Sequence, residues 1–327
     1  MTIKQFVLFC LFAEVVFWSY GQNVSKENIE MAASWNDLGH QYYEEKNYSQ
    51  AALWFRKSAE LGRLATAQCN LGQMYLNGYG VEKDYDEALK WFMKAAEQED
   101  ESAQSFLGYM YLNGYGVAQD YDEALRWYLK AEEKDELLVQ YHIGFVYAIQ
   151  KNYAEAIKWL LKAANRGEVN AQKDLAGMYE YGYGVDQNIS EAMKWYQKAG
   201  EQGDLATQNY LGYIYLNGNI LGSGKDEKKS LHWYQKAAQQ GDPGAQYNVG
   251  YIYLNGLGVE KSYEEAAKWY RLAAEQGNHF AQYSLGIMYQ YGLGVEKDEE
   301  EAAEWYQKAV EQDNQDAKKA LKNLRKF

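Results

Sequence analysis

Eight of the ten tryptophans fall in one register, at Trp54, Trp91, Trp127, Trp159, Trp195, Trp233, Trp269 and Trp305, separated by 37, 36, 32, 36, 38, 36 and 36 residues. An apolar residue marches in step at Leu38, Leu71, Leu107, Ile143, Leu175, Leu211, Val249, Leu285 and Leu321. A fixed period of this size marks a stack of small units, each unable to bury its apolar face alone. Such an array grows in one dimension, so a length of 327 residues does not translate into two globular domains.

The unit reads most clearly over residues 65–100. Ala67, Leu71 and Tyr75 form one apolar lane of a first helix. Asn77-Gly78 stops it, because glycine past a helix end takes the left-handed conformation without a Cβ clash. Gly114, Gly182, Gly218, Gly256 and Gly292 are expected to act likewise. After a second glycine, Asp84 and Glu87 are spaced as a capping box, with Glu87 expected to reach back to the cap N–H. Six further units keep this spacing, and the sixth breaks it with Asp226 and Lys229. Ala88, Trp91, Phe92 and Ala95 then form the inward stripe of a second helix, the tryptophan and its aromatic neighbour filling the gap between helices. Units one (34–64) and four (137–168) lose four residues between their helices, and unit six carries a longer loop from Gly218 to Lys225. Ala317, Leu321 and Leu324 predict a final helix whose other face (Lys318, Lys319, Lys322, Arg325, Lys326) is that of a solubilising cap.

Residues 1–21 read as a signal peptide: Lys4 precedes the apolar run Phe6–Ala13, and Ser19-Tyr20-Gly21 supplies small residues for cleavage before Gln22. Glu14 interrupts the run, which argues against an integral membrane span. Residues 22–33 are expected to be an N-terminal linker and 34–327 the repeat array. Export places the protein in a periplasm, at a cell surface, in the medium or in an ER lumen; the compact signal and sparse cysteine lean toward bacteria.

A formal charge of −13 argues against nucleic acid as partner, where a basic stripe is the usual footprint. Cys10 and Cys69 cannot build a metal site or a disulfide ladder, and the four histidines lie in different repeats without ligand spacing. No Ser-x-x-Lys, Lys-Thr-Gly, His-Glu-x-x-His or Walker-type loop occurs. The Gly-Tyr-Gly-Val loops recur in turn chemistry and are connectors. No catalytic residue, metal site or cofactor is therefore expected.

The motif Ala103-Gln104, Leu107-Gly108, Tyr111, Gly114, Gly116-Val117, Asp120, Ala124, Trp127, Lys130-Ala131, repeated through residues 34–327, resembles the Sel-1-like repeat, a longer-looped relative of the tetratricopeptide repeat. The resemblance implies an all-α fold: a right-handed α/α solenoid of eight helix-turn-helix repeats plus a C-terminal capping helix. Gly108 and its equivalents at 39, 72, 144, 212, 250 and 286 would let neighbouring helices pass closely, while unit five has Ala176. Members of the family typically act as adaptors for protein assembly. A cysteine-rich secreted branch is linked to penicillin binding and β-lactamase activity, but its cysteine pairs are missing from these repeats.

A second lane on the first helices sits two residues from the core lane, about 200° around a helix, and is expected on the concave side. It includes Tyr109 and Asn113, Phe145, Asn209/Tyr213/Asn217, Tyr247/Tyr251/Asn255 and Tyr283/Ile287/Tyr291. Tyrosine and asparagine in place of Lys and Glu fit a recognition surface for a protein or peptide; the alternative is that the rings pack against neighbouring first helices. An exported, non-enzymatic scaffold is the leading expectation. A glycan binder, whose tyrosines stack on sugars, and a penicillin-recognising hydrolase are the alternatives.

Overall fold

A computed structural model describes residues 25–61, 63–132, 136–218 and 224–324. Among them are seventeen helices: α1 (Lys26–Glu44), α2 (Tyr48–Leu61), α3 (Ala65–Asn77), α4 (Tyr85–Ala96), α5 (Glu101–Asn113), α6 (Tyr121–Ala131), α7 (Leu137–Ile149), α8 (Tyr153–Asn165), α9 (Val169–Tyr181), α10 (Ile189–Glu201), α11 (Leu205–Asn217), α12 (Glu227–Gln239), α13 (Pro243–Asn255), α14 (Tyr263–Glu275), α15 (His279–Tyr291), α16 (Glu299–Val310) and α17 (Gln315–Leu324). Odd-numbered helices through α15 open the repeats, even-numbered ones close them, and α17 ends the array. The segment read as a signal lies outside the described residues. Residues 26–33, expected as a linker, instead begin α1: Ser25 Oγ accepts from the Asn28 N–H at 3.1 Å. The described residues up to 159 and those from 160 onward form two compact units, the division falling within α8.

Loop geometry follows from the two glycines. Gly78 adopts φ 73°, ψ 30°, and its N–H bonds to the Met74 carbonyl. Gly114, Gly182, Gly256 and Gly292 repeat this; Gly218 does not, turning to ψ 151° where the longer loop begins. A Cβ on the second glycine, Gly80, would stand 2.2 Å from the Tyr48 backbone. The loop of repeat two therefore lies directly on the start of α2 in repeat one. In the two short hairpins the left-handed position falls to Lys46 and Lys151, both at φ 60°.

The second helices start on half of the expected capping box. Asp84 Oδ1 accepts from the Asp86 and Glu87 N–H groups at 3.0 Å each. The reciprocal bond is missing because the Asp84 N–H is already given to the Tyr75 carbonyl at 3.1 Å, a link repeated from Asp120 to Tyr111, Ser262 to Tyr253 and Asp298 to Tyr289. Glu87 turns along its own helix and accepts from Trp91 Nε1 at 3.0 Å and Lys90 Nζ at 2.8 Å.

In most repeats the residue after the tryptophan goes deepest, Tyr196 of repeat five being the exception. Phe55, Phe92, Tyr128, Tyr234, Tyr270 and Tyr306 are buried. Each lies against a first-helix glycine of its own repeat, where a Cβ would come within 2.6–2.8 Å of the ring. Trp91, Trp195, Trp233 and Trp305 are buried, but Trp54, Trp127, Trp159 and Trp269 are only half-buried. A lysine one turn on covers several indoles, including Lys198 over Trp195 at 3.7 Å and Lys94 over Trp91 at 4.1 Å.

Polar staples join successive repeats. Gln208 Nε2 donates to the Gly200 carbonyl of the preceding repeat at 2.8 Å, while Gln208 Oε1 accepts from Gln240 at 2.8 Å. Gln172, Gln246 and Gln282 make the same pair of bonds. The array closes on α17, where Ala317 and Leu321 are buried and Lys318, Lys319 and Lys322 face solvent; Arg325 and Lys326 lie outside the described residues.

Candidate interaction surface

The second lane of the first helices is not one surface. In residues 1–159, Tyr109 is exposed and meets Tyr115 edge-on at 5.6 Å. Phe145 is half-buried against the cluster around Tyr128 and Ile143. The lane's first position turns inward here: Cys69 is buried, and burial pushes its thiol up to about 12. A protonated, enclosed thiol is no nucleophile.

In residues 160–327 the lane splits by position. Tyr213, Tyr251 and Tyr291 are exposed by 58%, 41% and 65%. Tyr247 and Tyr283 are half-buried; Tyr247 packs between Tyr270 at 5.5 Å and Phe280 at 5.9 Å, and Tyr283 lies 5.8 Å from Tyr306. Ile287 is half-buried against the last core cluster. The asparagines serve their own helices. Asn113, Asn217 and Asn255 donate from Nδ2 to the carbonyls of Tyr109, Tyr213 and Tyr251 at 2.8, 3.1 and 2.8 Å, and Asn209 donates to Leu205 at 3.3 Å. Asn113, Asn217 and Asn255 nonetheless remain exposed beside the rings.

Two apolar side chains absent from the sequence reading stand beside these rings. Leu138 and Phe280 are exposed by 53% and 54%. They share a register position that holds Thr66, Ser102, Asn170, Ala206 and Gly244 elsewhere. An apolar residue where the other repeats are polar or small was the available signal.

Hollows flank both. One of about 480 Å³ lies between α5 and α7 over Tyr128 and His142, and one of about 360 Å³ is bordered by Tyr247, Phe280, Tyr283 and the turn before α17. Burial lowers the His142 imidazole to about 4, so it is neutral at neutral pH. Elsewhere Glu180 is buried, its oxygens accepting from Tyr210 Oη at 2.5 Å and Tyr196 Oη at 2.8 Å; burial first, then this carboxylate, pushes both phenols upward. No group of three or more potential metal ligands occurs among the described residues, and no described helix is long and apolar enough to cross a membrane.

The Sel1 repeat model matches this chain eight times, over residues 36–62, 65–100, 101–136, 141–168, 169–204, 206–242, 243–278 and 279–314. The crystal structure of a Sel1 repeat protein from Oxalobacter formigenes is 35% identical, with a TM-score of 0.66, covering 94% of this chain and 91% of that one. A protective antigen of uropathogenic Escherichia coli, described as displaying an SLR fold, is 31% identical over 90% of this chain and 80% of its own, with a TM-score of 0.48. Among curated proteins none matches.

Proposed function

Because the chain belongs to the Sel1 repeat family, a solenoid fold typical of protein–protein interaction scaffolds, we propose that this protein is an exported, non-enzymatic scaffold that holds a protein or peptide on the face formed by its first helices. The observation that carries this reading is the outward placement of Tyr213, Tyr251 and Tyr291 with Phe280, on helices whose opposite lane is buried. Exposed aromatic residues on successive first helices supply rigid contact area at small entropic cost. Export rests on the composition of residues 1–21, and N-terminal sequencing of the native protein is expected to begin at or near Gln22; intact Met1 in a cytosolic fraction would remove it.

The test of binding is capture from cell-envelope extract by mature protein, beside the variant Tyr213→Ala/Tyr251→Ala/Tyr291→Ala. A specifically retained protein is expected, lost in the triple variant while helicity persists. Equal retention by the folded variant moves the contact elsewhere. Nitrocefin turnover by the pure protein would replace the scaffold with a hydrolase.

A further inference from the structure

The hollow of about 480 Å³ between repeats three and four has a built floor. Tyr128 lines it, wholly buried and stacked on His142 with ring centroids 5.1 Å apart and planes 10° from parallel. Tyr128 Oη has no hydrogen-bond partner. A buried hydroxyl without a partner is uncommon in a native core and asks for one. The walls combine Phe106, Tyr109 and the exposed Leu138 with the polar Asn77, Ser102, Ser105 and Glu136. The volume lies within the roughly 300–1,000 Å³ span of ligand pockets.

The chain itself shows what fits such a place. In repeat seven, Tyr270 stands at the register of Tyr128 and Tyr247 at that of Ser105, while Ser284 of repeat eight stands at that of His142. There the Tyr247 ring packs 5.5 Å from Tyr270 at 33°, with Ser284 beside both phenols. Repeat eight places Tyr283 over Tyr306 in the same relation, 5.8 Å apart, and Tyr306 Oη donates to Gln290 at 2.7 Å. Repeat three alone of these has serine in place of the covering tyrosine, and its floor hydroxyl alone is fully buried without a partner.

We infer that the hollow over Tyr128 is a binding site for a phenol ring supplied from outside, which lies against Tyr128 as Tyr247 lies against Tyr270 and hydrogen-bonds to the buried hydroxyl. This inference deepens the scaffold reading and rests on it for the source of the ring, a tyrosine in an extended segment of a partner; a free phenolic compound carries the same group.

The experiment is a titration of the full mature chain, followed by amide and imidazole resonances, with p-cresol, the peptide Gly-Gly-Tyr-Gly-Gly and its Phe and Ala counterparts. Saturable shifts confined to the residues around Ser105, Tyr109, Leu138 and His142 are expected for p-cresol and the Tyr peptide, weaker for Phe and absent for Ala. Ser105→Tyr, which copies repeat seven, is expected to fold and to weaken binding at least tenfold. If Ser105→Tyr fails to fold, Leu138→Ser on the exposed rim is expected to weaken binding and takes its place. Tyr128→Phe is expected to erase the preference for Tyr over Phe. Binding of p-cresol without the peptide overturns the partner segment as source and assigns the site to a free phenol. No saturable shift, or binding unchanged in folded Ser105→Tyr, overturns the site; capture that persists then leaves the scaffold reading standing, whereas phenol binding without capture removes the scaffold and keeps the site.

Discussion

The ring of Tyr128 occupies the space that a side chain on Gly108 would need: a Cβ there would stand 2.8 Å from Tyr128 Cδ1. Both groups are fixed, the glycine by α5 and the ring by the buried face of α6, so neither yields cheaply. Gly108→Ala therefore adds a methyl to a filled core, at a cost of about 1–3 kcal/mol, partly offset by alanine's better helix propensity. Gly177 in α9 is the matched control, since its nearest neighbour to a new Cβ is Tyr196 Oη at 3.9 Å. Gly177→Ala is expected to stabilise by roughly 0.5–1 kcal/mol. Thermal unfolding of the two variants moving in opposite directions confirms the distinction; a Gly108→Ala protein as stable as the parent would refute it.

Gln208 is 3% exposed and holds two repeats together through Gly200 and Gln240. Gln208→Ala removes both bonds, but the Gly200 carbonyl keeps the Gly203 N–H and Gln240 Nε2 keeps the Gly203 carbonyl, so the expected cost is about 0.5–1.5 kcal/mol. Because coupling in an array is between neighbours, hydrogen-exchange protection should fall in α10 to α12 before α15. Gln104 has no partner for its Oε1, so Gln104→Ala should cost less. Equal losses in the two variants would show that the staple contributes little.

The period, the helix pairs, the loop glycines and the inward stripe were legible because one residue type recurs at each, and the repetition averages out local exceptions. What one sequence concealed are exchanges between positions. Trp127 and Tyr128 are adjacent and both aromatic, and only the placement of Gly108 decides which goes deeper. The half-made capping box turns on a bond from Asp84 to Tyr75, nine residues back, that no local pattern encodes. Ala176 was visible as an exception, but not its accompaniment: with a methyl where the glycine would be, Tyr196 is half-buried and bonds to Glu180, at a register held by Leu76, Leu112, Leu216 and Leu254 elsewhere. On the candidate face, periodicity gave the lane without its depth. Depth depends on the adjoining repeat, which covers Tyr247 and leaves Tyr251 open.

His142 carries a pH signature. Its pKa falls to about 4 in the folded protein, chiefly through burial, against 6.5 for the ordinary side chain. Between these values the unfolded chain binds the proton and the folded chain does not, so stability is full above about 6.5 and declines as pH falls toward 4, by at most about 1.4 kcal/mol per unit. His142→Phe retains a ring beside Tyr128 and removes the titration. Chemical denaturation at several pH values should show a shallower acid decline in the variant; parallel curves would mean that His142 is protonated without penalty.

The final prediction divides the tyrosine lane by energy. Tyr247 is half-buried, wedged between Tyr270 and Phe280 and packed on the core that holds Leu285 and Trp305. Truncating it opens a partial cavity, and Tyr247→Ala is expected to lose roughly 1–3 kcal/mol, below the about 3–5 kcal/mol of a wholly enclosed aromatic. Tyr213, Tyr251 and Tyr291 project into solvent. Each alanine substitution there should stay within about 0.5 kcal/mol of the parent, as surface changes usually do. Thermal melts of the four single variants test the division directly. A loss at Tyr213 or Tyr251 as large as that at Tyr247 would make those rings structural and remove them from the binding face; stability unchanged at all four would return Tyr247 to it.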